Sequence, residues 1–185
     1  RMLPAWAPVI IRPWHEAGGR HFWWGADATD PARSEAGVKQ LWLDTVARVR
    51  TACPNVLTAW SGAMTWYNPM LYGYPGADSV DLVGASLYSS TVDFAHDNDY
   101  TALLSAGQPA LLFEFGSASD AAAGWDARKL QAAMNTRYSR LVGVVAWQDN
   151  NSWLRMSNSA TVLLGARVLS RLKLPVGYSD DERTQ

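Results

Sequence analysis

Five short apolar runs alternate along this chain with stretches whose apolar residues recur every three or four positions. That alternation limits the fold more than any other feature. Val9 to Ile11, Val56 to Trp60, Val80 to Tyr88, Ala110 to Phe113 and Leu141 to Trp147 read as strands. Val38, Leu41, Trp42, Thr45, Val46 and Val49 make one apolar helix face, which Pro54-Asn55 ends. Residues 100–106, the Trp125, Leu130 and Met134 segment and Val162 to Leu172 read as further helices. Residues 17–36 and 62–79, rich in Gly and Pro, read as loops. Strands alternating with helices imply an α/β fold with parallel strands. Near-continuous apolar strands fit a sheet that is covered on both faces or closed into a barrel.

Polar residues gather at the C-terminal ends of these runs: Glu16, Ser61, Tyr88, Glu114 and Gln148-Asp149. In a (β/α) barrel that rim carries the chemistry. A doubly wound sheet is the competing architecture, and it would show a Gly-rich phosphate loop after its first strand. Gly18-Gly19, crowded by His, Glu and Arg, matches that loop poorly.

Bulk composition removes several function classes. A chain of 185 residues with 48% apolar content has material for one globular core. A net charge of -1 leaves no basic footprint for nucleic acid. No apolar stretch approaches the roughly 18 residues that span a bilayer. The single cysteine, Cys53, excludes an intrachain disulfide and reads as a small packed residue at a helix end. Three scattered histidines without an H-x-x-x-H spacing indicate no metal, and no cofactor is indicated. No serine sits in a G-x-S-x-G elbow.

Two glutamates stand out. Glu16 follows the first apolar run and Glu114 the fourth. A bare carboxylate after a buried strand is costly unless it meets water, a partner or a substrate. Two of them, in a chain with ten tryptophans, suggest the carboxyl pair of a sugar-cleaving enzyme. The alternative for each is a structural ion pair. Arg12, four residues before Glu16, shares its side if the segment is extended. It then either sets the charge balance of a site or makes a buried ion pair. His15 adjoins Glu16 and is placed to bond a sugar hydroxyl or orient a carboxyl. His21 and His96 read as surface or rim residues. Phe22, Trp23 and Trp24 are consecutive and cannot all line one cleft, so one of the tryptophans packs while another borders the sugar. Trp42, at helical spacing, reads as core, and Asp81 as structural.

Arg12-Pro13-Trp14-His15-Glu16, with Gly19 and Phe22-Trp23-Trp24-Gly25 behind it, resembles the acid/base signature of glycoside hydrolase family 26, the β-mannanase family. Tyr74-Pro75-Gly76 with Val80-Asp81, Gly84 and Tyr88 resembles that family's sixth strand. Glu114-Phe115-Gly116 resembles its nucleophile strand, and Val145-Ala146-Trp147 its eighth. The resemblance implies a (β/α)8 TIM barrel of which this chain holds the C-terminal five units, strands four to eight. It implies a barrel portion over residues 1–175 and a polar tail over 176–185. A missing N-terminal segment or a second chain would then complete the barrel.

The same resemblance implies a retaining, endo-acting enzyme that cleaves β-1,4-mannosidic bonds, secreted or held at the cell surface. Glu16 would be the acid/base and Glu114 the nucleophile, with carboxyls about 5 to 5.5 Å apart. Arg12, His15, Trp23, Tyr88 and Trp147 would meet the polysaccharide, with Trp147 as a sugar platform. Three positions depart from the family pattern. Ala17-Gly18 replaces Met-Asn, His21 replaces an aromatic, and Ser86 replaces an Asp. These motivate a second reading with the same mechanism on a β-glucan or xylan. A third reading is a non-catalytic carbohydrate-binding protein or inactive fragment.

Overall fold

The computed structural model describes residues 9–27, 29–62, 68–89, 91–116 and 127–146. All five expected strands form: β1 (Val9–Ile11), β2 (Val56–Gly62), β3 (Leu82–Tyr88), β4 (Ala110–Gly116) and β5 (Leu141–Ala146). They pair in chain order as one parallel sheet. Parallel neighbours need crossovers, and the intervening segments supply them. The helices are α1 (Glu35–Ala52), α2 (Asp99–Ser105) and α3 (Ala127–Asn135). Trp147, Trp125, the helix expected at 162–172 and the 176–185 tail lie outside the described residues.

Element ends differ from the hydrophobic pattern for local reasons. α1 starts before Val38 because the Ser34 hydroxyl accepts the Gly37 N–H at 3.2 Å and Glu35 complements the positive helix end. Cys53 is exposed rather than packed. The helix ends at Ala52, so residue 53 leaves the face on which Val38, Trp42 and Val46 are buried. β2 and β4 run beyond their apolar stretches, because ladder pairing and not hydrophobicity sets a strand's end. Asp81 lies just before β3. Its carboxylate accepts the Thr58 N–H and hydroxyl, each at 2.8 Å, and pairs with Arg50 at 3.2 Å. That network is structural, as the sequence suggested.

Apolar side chains cover both faces of the sheet. On the helix side Val83, Ala85 and Leu87 pack with Trp42, Leu103, Leu130 and Met134. Trp42 is fully buried and meets Trp60 edge-on at 5.2 Å. The opposite face holds a smaller cluster of Ala59, Leu82, Leu111, Phe113 and Val142. Gly84 belongs to this face, where a Cβ would fall 2.3 Å from the Phe113 ring.

One irregularity decides where Glu114 points. Leu112 pairs with Ala85 on the helix side, so strict alternation would send Glu114 there too. Instead the register shifts between Ala85 and Ser86, Phe113 is skipped, and Glu114 pairs with Ser86. A bulge of this kind re-aims a side chain. It puts Glu114 on the face shared by Ser86 and Tyr88, away from the helices.

Candidate active site

Glu114 is 7% exposed and its carboxylate has two donors. The Arg12 guanidinium bonds and ion-pairs with Oε1. The Tyr88 hydroxyl donates to Oε2 at 2.7 Å. Arg12 also donates to the Ser61 hydroxyl at 2.9 Å, so the end of β2 fixes the guanidinium that holds Glu114. The four-residue spacing from Arg12 to Glu16 does not act through strand alternation as expected. β1 ends at Ile11 and the chain turns from Pro13, which frees Arg12 to reach across to β4.

Glu16 sits inside that turn, not at a strand end. Trp14 and Glu16 have φ of 50° and 55°, in the left-handed region that non-glycine residues rarely occupy. Such backbone costs on the order of 1–3 kcal/mol per residue and clusters at functional sites. The surroundings enforce it. The Glu16 N–H donates to the Ser61 carbonyl at 3.0 Å, and the Glu16 carbonyl accepts the Gly19 N–H at 2.8 Å. Ala17 is buried, and its carbonyl accepts the Ala26 N–H at 2.8 Å. Gly25 closes the loop, since a Cβ there would meet the Gly19 oxygen at 2.1 Å. The Gly18 carbonyl accepts the Asn68 amide at 2.8 Å.

The Glu16 carboxylate is 8% exposed as part of its residue and meets His21, whose Nε2 lies 2.7 Å from Oε2. His21 is therefore not merely a rim residue. Its side chain is half exposed, and its inner nitrogen is on a buried carboxylate. The signal was the departure itself, a histidine where the family pattern has an apolar aromatic. His96 matches its surface reading, pairing with Asp99 at 3.2 Å at the start of α2. Ser61 was legible only as a polar strand end, and it ties Arg12 and the Glu16 backbone to one point.

The aromatic triplet divides its work. Trp24 stacks on Phe22 at 4.4 Å, and its Nε1 donates to the His15 carbonyl at 2.9 Å. His15 packs edge-on against Phe22 and Trp24. Trp23 is 72% exposed and touches Trp14 and Trp24 by edge contacts. It is the tryptophan of the pair left open to solvent.

The two carboxylates act on the same neighbours. Burial pushes the Tyr88 phenol far up, and the Glu114 hydrogen bond, the Glu114 charge and the Glu16 charge add to it against Arg12. Tyr88 thus stays a protonated donor. Burial lowers His15, helped by Arg12 and opposed by Glu114 and Glu16. A neutral imidazole can both donate and accept. Six of the seven expected site residues are described, and Arg12, His15, Glu16, Tyr88 and Glu114 form one electrostatic cluster. No group of three or more potential metal ligands occurs among the described residues.

Five parallel strands in chain order, with buried Glu16 in the turn after β1 and buried Glu114 within β4, are what part of a (β/α)8 barrel would present. Residues 2–165 match the model of glycosyl hydrolase family 26, and the chain belongs to that family. It is 28% identical over 182 residues to mannan endo-1,4-beta-mannosidase A and B of Caldalkalibacillus mannanilyticus, covering 84% of this chain and 35% of the relative. It is 29% identical over 171 residues to the mannan endo-1,4-beta-mannosidase of Bacillus subtilis, covering 88% and 43%. Among solved structures, the Bacillus subtilis mannanase man26 superposes with a TM-score of 0.66 at 25% identity, covering 78% of this chain and 42% of that one. A Cellulomonas fimi endo-beta-1,4-mannanase gives 0.62 at 25%, covering 92% and 41%. The chain thus spans less than half the length of these relatives. Its five strands correspond to part of their (β/α)8 barrel.

Proposed function

We propose that this chain carries the catalytic portion of a retaining, endo-acting mannanase, with Glu114 as nucleophile and Glu16 as acid/base. The observation that carries the reading is the partner chemistry of Glu114. The Arg12 guanidinium can only donate to it, and the Tyr88 phenol, held protonated, donates its O–H to Oε2. Such a pairing favours the ionised carboxylate, as a nucleophile requires. Family membership and the mannosidase relatives support mannan as the polysaccharide.

In the first step Glu16 gives its proton to the leaving glycosidic oxygen while Glu114 attacks the anomeric carbon. The C–O bond breaks and a glycosyl ester forms on Glu114. In the second step the Glu16 carboxylate takes a proton from water, and the resulting hydroxide displaces Glu114. Two displacements return the original anomeric configuration, and Glu16 regains its proton. His15, kept neutral by burial and by Arg12, is placed to bond a sugar hydroxyl. Trp23 and Trp147 supply indole faces for the polymer. A polymeric substrate of this kind supports a secreted or cell-surface enzyme.

The test is covalent trapping. A 2-deoxy-2-fluoro-mannosyl inactivator should leave one sugar on the peptide containing Glu114, read by mass spectrometry. Turnover of mannan with no adduct, or with an adduct elsewhere, refutes the assignment. A panel of mannan, β-glucan and xylan reads the substrate, and faster release from either of the latter two refutes mannan.

A further inference from the structure

The two glutamates are held by chemically different partners, and the difference assigns a task to His21. Among the described residues His21 supplies the one side chain bonded to the Glu16 carboxylate, Nε2 to Oε2 at 2.7 Å. The bond is built into the loop. A Cβ on Gly19 would lie 2.5 Å from His21 Cε1 and 2.9 Å from Nδ1, so the absence of a side chain there makes room for the ring. Phe22 contacts the imidazole in a tilted arrangement, with ring centroids 4.5 Å apart. The half-exposed ring thus lies against a bare backbone and an aromatic side chain, with Nε2 on the acid.

We propose that His21 is a positioning residue for the acid/base: it holds one oxygen of Glu16 so that the other faces the glycosidic bond, in both protonation states. The proposal rests on the acid/base reading of Glu16. An imidazole suits this task where a guanidinium would not. An arginine only donates and would hold Glu16 ionised. A neutral imidazole carries no fixed charge, and its Nε2–H donates to Oε2 whether the other oxygen holds its proton or has given it up. Glu16 must alternate between these states once per turnover, whereas Glu114 must not hold a proton when it attacks. General acid–base assistance contributes about 10²–10⁴-fold to such reactions. Misplacing the acid forfeits part of that factor and leaves substrate binding alone.

The experiment compares kcat/KM on two substrates in the same protein. One is an unactivated manno-oligosaccharide, whose leaving sugar needs a proton. The other is a dinitrophenyl β-mannobioside, whose leaving phenolate does not. For His21→Phe, which keeps an aromatic, we expect about a 10- to 100-fold loss on the oligosaccharide, carried by kcat, and under about 3-fold on the aryl glycoside. His21→Gln, which keeps a donor, should recover most of the loss. Gly19→Ala, which pushes the ring aside, should mimic His21→Phe. Equal losses on both substrates, or a loss confined to KM, overturn the proposal, because a merely structural or binding residue behaves so. No loss in His21→Phe overturns it as well. Wild-type protein that hydrolyses neither substrate refutes the glycosidase reading itself, and the proposal with it. An active wild type with an indifferent His21→Phe refutes the positioning role alone.

Discussion

Replacing Arg12 with methionine tests the charge logic of the site most directly. Methionine keeps an unbranched apolar stem and removes the guanidinium. Two hydrogen bonds go with it, one to Glu114 and one to Ser61. The first is charge-assisted, and its partner side chain is only 9% exposed, so solvent screens it weakly. Bonds to charged groups contribute about 1.5–3 kcal/mol. With Arg12 itself 19% exposed, about 2–3 kcal/mol of support for ionised Glu114 is at stake. If Glu114 must be ionised to attack, that energy appears in the barrier as about a 30- to 150-fold loss of kcat/KM. Tyr88 still donates at 2.7 Å, so the loss is bounded. Arg12→Lys should fall between, because one ammonium cannot reproduce a planar fork that serves two acceptors. Steady-state hydrolysis of a manno-oligosaccharide reads the effect, with thermal melting alongside. An Arg12→Met variant with more than a third of wild-type kcat/KM and a lowered melting temperature would refute the reasoning. It would make Arg12 a structural ion-pair residue only, the alternative that its sequence position left open.

Three further outcomes follow from the same contacts. Glu114→Gln should leave less than about a hundredth of wild-type turnover with the circular-dichroism spectrum retained; the general-acid contribution alone does not replace a lost nucleophile. Trp42→Ala empties a fully buried site against Trp60 and should cost about 3–5 kcal/mol in denaturant unfolding. His15 is held below its ordinary value of 6.5, chiefly by burial and then by Arg12. The unfolded chain therefore takes up that proton first, and stability contributed at higher pH is lost as pH falls below about 6.5. Melting temperatures of His15→Gln should show a flatter decline across that window than wild type.

The architecture was legible because each layer repeats a simple period. Apolar runs at Val9, Val56, Ala110 and Leu141 marked strands, and the Val38, Trp42 and Val46 spacing marked α1. The site was legible in its residue types, since Arg12, His15, Glu16, Tyr88 and Glu114 all reach one cluster. Its wiring was not. The register shift that turns Glu114 away from the helices depends on pairing between β3 and β4, and no single strand encodes it. The left-handed turn at Trp14 and Glu16 has no glycine at either position to announce it. The nearness of His21 to Glu16 is a product of that turn, so reading residues 17–36 as loop, with His21 at the surface or rim, could not reveal it. Cys53 misled for the opposite reason: helical spacing extended past the residue where the helix stops.

The Arg12–Glu114 contact also bears on the choice between a barrel and an open doubly wound sheet, which strand order alone leaves unsettled. Arg12 follows β1 and Glu114 lies in β4, with β2 and β3 between them. Neighbouring strands sit about 4.8 Å apart, so three spacings separate the two by about 14 Å in a flat sheet. Side chains stand roughly perpendicular to a sheet. In a flat one, Arg12 and Glu114 would rise side by side across that gap without meeting. Their ion pair fits a sheet curled toward the face that carries Glu114, Ser86 and Tyr88, together with the turn after β1 that frees Arg12. Ser61, near the end of β2, accepts the Glu16 N–H through its carbonyl and an Arg12 N–H through its hydroxyl, so the Glu16 backbone and the guanidinium on Glu114 share one anchor. The Arg12 contact that ties β1 to β4 thus also bears on Glu16, through the shared anchor at Ser61.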